Sequence, residues 1–224
     1  MQFKKQIFTT GAIASLLAVT LSSYAGTSAT LTISGTVTPA ACTIALSGGG
    51  TLTFDTVSIE ALPSSGTYTM TPKTIDTTVD CQNTAQAVAI SFVDNRKDSV
   101  ATHTDELTDS NTAFGLGTAD GTLKIGSYGI KINKVTAEGT QGSLLSSTGK
   151  TLASTWSSLA SDAFVNNGTT AQYITYTDTS GSAPVSKKNY TFTLEVTPSI
   201  SSDMKGITST ANLDGNTTIN VDYM

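Results

Sequence analysis

A chain of 224 residues with a formal net charge of −5 has no electrostatic reason to bind nucleic acid or an anionic membrane surface. Only 13% of its residues are charged, and Thr, Ser, Gly and Asn supply most of its polarity. Uncharged polar faces of this kind suit strands and extracellular surfaces, and differ from the Glu/Lys-rich faces of helices.

The N-terminus reads as a removable export signal. Lys4 and Lys5 form a basic start, Gly11 to Leu21 is an apolar run too short to span a bilayer, and Ser23-Tyr24-Ala25 supplies small residues at a cleavage site. Residues 1–25 are therefore expected to be a signal peptide, leaving 26–224 as a single domain in which ten basic residues face seventeen acidic ones. In an exported chain the two cysteines, Cys42 and Cys81, are expected to form one disulfide. Closing that loop stabilises by roughly 4 kcal/mol on the chain-entropy model.

The rest reads as short strands. Ala29 to Val37 alternates with Leu31, Ile33, Gly35 and Val37 on one face, and Pro39 breaks it. Cys42, Ile44 and Leu46 share one side of the next run, and Ser47 to Gly50 is a turn. Leu52 and Phe54 alternate, then Val57 and Ile59 alternate on the other parity, which predicts a bulge or bend between strands. Ile75, Thr77, Val79 and Cys81 face inward, so both cysteines fall on inward rows. Val88, Ile90 and Phe92 form the next inward row.

Asp94 to Asn111 is charged and unpatterned and predicts a long exposed loop. Phe114 to Gly117 is an apolar restart, and Ser127 to Asn133 predicts a strand carrying Tyr128, Ile130 and Ile132. Thr136 to Ser161 is weakly patterned, with the lone Trp156 read as a core aromatic. Asn166 to Gly168 predicts a turn, Ala171 to Thr177 a strand, and Asp178 to Lys187 a loop. Tyr190, Phe192, Leu194 and Val196 alternate until Pro198, which is expected to end that strand. The last ten residues alternate strictly: Gly215, Thr217, Ile219, Val221 and Tyr223 against Asn216, Thr218, Asn220 and Asp222, with Met224 closing the chain. Short strands separated by Gly/Pro/Asn turns, with no helical period over three turns, predict an all-β sandwich or barrel.

Catalytic patterns are missing. His103 sits alone in the charged loop, and no Gly-x-Ser-x-Gly elbow presents a serine. Asp94, Asp98, Asp105, Glu106 and Asp109 lack the spacing of a calcium loop, and no zinc ligand set is present. Gly149-Lys-Thr151 lacks the earlier glycine of a phosphate loop, where Leu144 stands, and Gly115-Leu-Gly117 lacks the third glycine of a dinucleotide site. Asn167, Asn189 and Asn216 open formal glycosylation triplets. No enzyme activity and no cofactor is expected.

Three features together resemble the pilin subunits of the chaperone–usher fimbriae of Gram-negative bacteria. They are Leu31-Thr-Ile-Ser-Gly-Thr-Val37 followed by Pro39-Ala-Ala-Cys42, the partner Cys81 some forty residues on, and the alternating C-terminal strand with penultimate Tyr223. Asn166 to Thr170 before a Tyr-rich strand is also pilin-like, and Phe114 to Gly117 with Ile125 to Gly129 points to a fimbrial-like branch. The resemblance implies an immunoglobulin-like sandwich that lacks its last strand. A periplasmic chaperone, and then the N-terminal extension of another fimbrial subunit, supplies that strand at an outer-membrane usher. It implies a groove strand formed by Gly215, Thr217, Ile219, Val221, Tyr223 and Met224, and a short donor segment (26–37) whose donor-strand residues are Leu31, Ile33, Gly35 and Val37, with Leu31, Ile33 and Val37 supplying the side chains. It further implies passage through the periplasm to a cell-surface fimbrium and a part in cell adhesion. The family carries a glycine fourteen residues from the C-terminus, where this chain has Ala211; Gly215 is the nearest of the same parity. The competing expectation is a secreted, monomeric carbohydrate-binding β-sandwich protein, which needs a cluster of exposed aromatics.

Overall fold

The computed structural model of the protein describes residues 42–101, 107 and 109–224. The expected signal peptide, the donor residues Leu31, Ile33, Gly35 and Val37, and His103, Asp105 and Glu106 lie outside the described residues. Chain order gives fourteen strands among those described: β1 (Thr43–Leu46), β2 (Thr67–Thr69), β3 (Lys73–Asp80), β4 (Val88–Asp94), β5 (Phe114–Gly115), β6 (Thr118–Ala119), β7 (Leu123–Lys124), β8 (Gly126–Ala137), β9 (Thr140–Gln141), β10 (Ser143–Ser147), β11 (Ser157–Leu159), β12 (Tyr173–Thr177), β13 (Asn189–Ser201) and β14 (Thr217–Tyr223).

Two antiparallel sheets pack face to face. The larger has the order β1-β3-β13-β8-β5, with β2 paired to β13 and β9 to β8; the smaller has the order β11-β10-β12-β4-β14. A two-stranded ribbon, β6-β7, stands apart. The chain is thus all-β, as its turn-punctuated alternation predicts. The core lies between the sheets and includes Val79, Phe114, Ile132, Phe192 and Leu194 from the larger sheet and Ile90, Ile174 and Tyr176 from the smaller. Fully burying side chains of this size stabilises by roughly 1.5–3 kcal/mol each. The Cys42–Cys81 disulfide is formed, joining residues directly opposite each other where β1 meets β3.

The structure departs from the sequence-based expectation in five places. Strand β8 continues past Asn133 to Ala137. A register shift opposite Thr193/Leu194 inserts one extra residue, so inward positions switch from Ile130 and Ile132 to Val135 and Ala137. That switch hides the strand from a period-2 reading. Strand β13 runs through Pro198 to Ser201. There the neighbouring chain breaks between β2 and β3, and the Pro198 carbonyl accepts from the Met70 N–H (2.9 Å), so the proline's missing N–H removes no ladder bond.

The expected exposed loop after Asp94 is anchored instead. Asp94 closes β4 and is buried, as are Ser99, Ala101 and Leu107. Trp156 is half-buried rather than a core aromatic, and its indole N–H donates to the Thr151 carbonyl. Finally, residues 51–58 carry the alternating Leu52, Phe54 and Val57, all packed against the core, yet belong to no strand.

The turns behave as their residues demand. Gly48, Gly49 and Gly50 all take positive φ (58°, 69° and 78°) after β1. Asn167, in the Asn166–Gly168 turn, is buried, and its side-chain N–H groups donate to the carbonyls of Ser110 (2.8 Å) and Ala113 (2.6 Å). This formal glycosylation triplet is structural.

Among the described residues one buried side-chain polar atom lacks a partner: the hydroxyl of Thr77, on the inward face of β3 at 0% exposure. A desolvated hydroxyl with no hydrogen bond costs stability, whereas an apolar group of the same shape does not. Thr77→Val is expected to raise unfolding stability by about 1 kcal/mol. The denaturant midpoint measures it, and a lower midpoint would show that Thr77 has a partner in solution.

Candidate functional site

The last strand ends the smaller sheet and pairs with β4 alone. Two hydrogen bonds just beyond β14 fix its phase. The Asn95 N–H donates to the Asn216 carbonyl (3.0 Å), and the Met224 N–H donates to the Ala87 carbonyl (3.1 Å). In an antiparallel ladder, residues that exchange bonds alternate with residues that do not. Even positions from Asn216 to Met224 therefore turn their main-chain groups towards β4. Thr217, Ile219, Val221 and Tyr223 turn theirs away, towards an edge that no strand pairs with among the described residues.

The two faces of β14 do different things. On the outer face, Asn95 Nδ2 reaches Asn216 Oδ1 and Thr218 Oγ1, and Lys150 Nζ reaches Asp222 Oδ1 at 2.9 Å. These bonds tie β14 to the sheet. The inner face carries Thr217, Ile219 and Val221, all half-buried, and an exposed Tyr223.

Beside the inner face runs an open apolar groove. One cavity of about 190 Å³ lies among Leu52, Phe54, Tyr128, Gly215, Thr217 and Ile219. An adjoining cavity of about 780 Å³ continues past Leu213, floored by Leu62, Met70, Ile125, Ile200 and Met204 and rimmed by Ile207 to Leu213. The far wall is residues 51–57. Lys73 steadies it: its Nζ donates to the Thr53 carbonyl (2.6 Å) and lies 5.4 Å from the centre of the Phe54 ring.

A polar cluster holds the start of β14. The Tyr128 hydroxyl lies 2.6 Å from Thr217 Oγ1, and its ring stacks on Phe114 with centroids 5.3 Å apart. Gly215 passes so close to this ring that a Cβ there would lie 2.8 Å from Tyr128 Cε1, so close approach explains the glycine. Arg96 forms an ion pair with Asp214 (2.7 Å), and the Asp214 N–H donates to the Leu116 carbonyl. The Asp94 carboxylate accepts from the N–H groups of Arg96 and Gly115, both at 2.8 Å. Burial pushes its pKa up, against the pull of those two bonds. Ser99 Oγ accepts from the Gly117 N–H (2.9 Å), and a Cβ at Gly115 would collide with the Arg96 carbonyl and Ser99 Oγ. The Phe114–Gly117 motif thus serves close chain packing.

At the other end, the Tyr223 hydroxyl accepts from the Cys42 N–H (2.7 Å) and donates to the Cys42 carbonyl (3.2 Å). The structure thus gathers Gly215, Thr217 and Ile219 on the groove, packs Val221 against the core, and places Tyr223 and Met224 at its end. It adds residues that sequence reading missed as groove elements: Leu52, Phe54, Tyr128 and the stretch 207–213. The strand-like alternation of 52 and 54 was the available signal. Among the described residues no group of three or more His, Cys, Asp or Glu is placed to hold a metal, and no helix is long and apolar enough to cross a membrane. The site offers main-chain donors and acceptors beside apolar surface, the chemistry that takes up an extended polypeptide.

A family model described as "Protein of unknown function (DUF1120)" matches residues 31–129, a stretch that ends within β8 and excludes β14. The "Uncharacterized protein YhcF" of Escherichia coli (strain K12) is 27% identical over 227 residues, covering 91% of this chain and 94% of that protein. Neither description assigns an activity.

Burial pushes the Tyr128 pKa up to about 12; the hydrogen bond with Thr217 opposes this, and the nearby Asp94 charge adds to it. A folded-state pKa above the unfolded value means stability that is whole below about pH 10 and is lost as the pH rises towards about 12. Tyr176 and Tyr190 are raised to about 12 as well, chiefly by burial. Denaturant midpoints are expected to fall steeply between about pH 9 and about pH 11.5, and Tyr128→Phe is expected to shrink the accompanying loss of stability by up to about 2 kcal/mol. An unchanged slope in Tyr128→Phe would contradict the burial of this hydroxyl.

Proposed function

We propose that this chain is a structural subunit of a chaperone–usher fimbria, assembled by donor-strand exchange and contributing to cell adhesion. The observation that carries the reading is the main-chain edge of β14 that no strand pairs with among the described residues, beside an open apolar groove. A long unpaired edge is a liability in a free-standing protein, and nature covers such edges or pairs them.

The topology supports the same reading. The order β1-β3-β13-β8 in one sheet, with β4 next to β14 in the other, is compatible with an immunoglobulin-like sandwich in which no described strand occupies the place beside β14. The disulfide pins the start of β1 to its neighbour at the end of β3, in the sheet opposite β14. The rival carbohydrate-binding reading draws less support. Tyr223 is the one aromatic among the exposed large apolar side chains of the described residues, and the Trp156 N–H is already engaged.

In this reading a periplasmic chaperone first lends a strand to the groove. At the outer-membrane usher, the N-terminal segment of another subunit replaces it, and the donor strand of this chain, with the Leu31, Ile33 and Val37 side chains and Gly35 between them, does the same for the next groove. Main-chain bonds to Thr217, Ile219 and Val221 supply affinity, and alternate side chains entering the two cavities supply selectivity. The Met224 carboxylate is held by basic residues of the chaperone.

The test is export to the periplasm of a Gram-negative host with and without a chaperone from a neighbouring chaperone–usher gene cluster. Degradation or aggregation alone, and a stable one-to-one complex with the chaperone, are expected. A soluble, cooperatively folding monomer produced alone would overturn the reading.

A further inference from the structure

The two ends of the groove differ. Past Leu213 it opens into the larger cavity, of about 780 Å³. At the opposite end a single side chain crosses it. Tyr223 belongs to the smaller sheet, and Cys42 is covalently fixed to Cys81, immediately after β3 of the larger one. Both Tyr223–Cys42 hydrogen bonds run from sheet to sheet.

The main chain at Cys42 is oriented for this contact. The Cys81 N–H donates away from β1, to the Lys188 carbonyl (2.7 Å), so Cys42 and Cys81 face each other as a pair that does not exchange main-chain bonds. The N–H and carbonyl of Cys42 therefore point to the open side of β1, where Tyr223 takes both. A strand running the full length of β14 would have to pass through that contact. The cavities agree: Gly215, Thr217 and Ile219 line the groove, whereas neither Val221 nor Tyr223 lines either cavity.

We propose that the Tyr223–Cys42 clasp is a stop that sets the register of the incoming strand. The strand, an extended apolar-alternating segment of a second subunit, pairs with β14 from Thr217 to Val221 and ends short of Tyr223. At its other end it runs on past Leu213 and places bulky apolar side chains in the larger cavity. Tyr223 is thus a positioning residue for strand uptake. This rests on the strand-acceptor reading above.

The test refolds the full oxidised chain with an excess of the synthetic peptide ATLTISGTVT, the sequence of residues 29–38, and follows amide hydrogen exchange along β14 at residue resolution. The amides of Thr217, Ile219 and Val221 are expected to slow about tenfold or more, while that of Tyr223 changes less than about twofold. In Tyr223→Phe, which keeps the ring and removes both bonds, the slowed set is expected to extend to position 223. Equal slowing of the Ile219 and Tyr223 amides in the unaltered chain overturns the stop, as does the same slowed set in both proteins. Peptide that slows no amide of β14 overturns the strand-acceptor reading itself, and the stop with it.

Discussion

Main-chain hydrogen bonding at the last strand is the constraint on which the rest of the molecule turns. Each residue of a strand carries one donor and one acceptor, and a strand with a single neighbour leaves every second pair turned outward. In β14 the bonds at Asn216 and Met224 decide which pairs those are: Thr217, Ile219, Val221 and Tyr223. The same odd positions carry the inward side chains. Polar backbone and apolar side chains are therefore presented together, a pairing that an extended chain laid along the edge satisfies.

The surrounding described residues hold this edge in place without pairing with it. Asn95 and Lys150 bind its outer face, Tyr128 reaches across the sandwich to its first residue, and Arg96 fixes Asp214 just ahead of it. Each bond is modest alone; an exposed pair such as Arg96–Asp214 contributes at most about 1 kcal/mol. Their arrangement matters more than their sum, because none of them occupies the outward main chain. Opposite, residues 51–57 pack Leu52, Phe54 and Val57 against the core while belonging to no strand. Both walls of the groove thus share one property: inward apolar side chains beside main-chain groups that no described strand pairs with.

Much of this was legible because strands write their faces into alternate residues. The inward rows of β3, β4 and β13, the Gly48–Gly50 turn, the disulfide and the alternating final strand can all be read from residue type and parity. Where local pattern and tertiary pairing part company, the reading fails. The bulge in β8 reverses parity at Asn133, so Val135 and Ala137 look misplaced. Pro198 looks like a terminator because sequence cannot show that the chain beside it is interrupted. Leu52 and Phe54 look like a strand because packing, not pairing, produces alternation. Asp94 and Ser99 look solvated because their partners, the N–H groups of Gly115 and Gly117, lie some twenty residues away. The role of Tyr128 depends on a contact 89 residues away and has no local signature.

The central claim is that the outward edge of β14 is completed by a strand from another polypeptide. A photo-activated diazirine amino acid placed at position 219, where Ile219 lines the groove, reports its occupant directly in cells that produce the full chain. The account predicts covalent adducts with a second chain, mapped to an extended segment of alternating apolar residues. Adducts confined to residues of the same chain would contradict it.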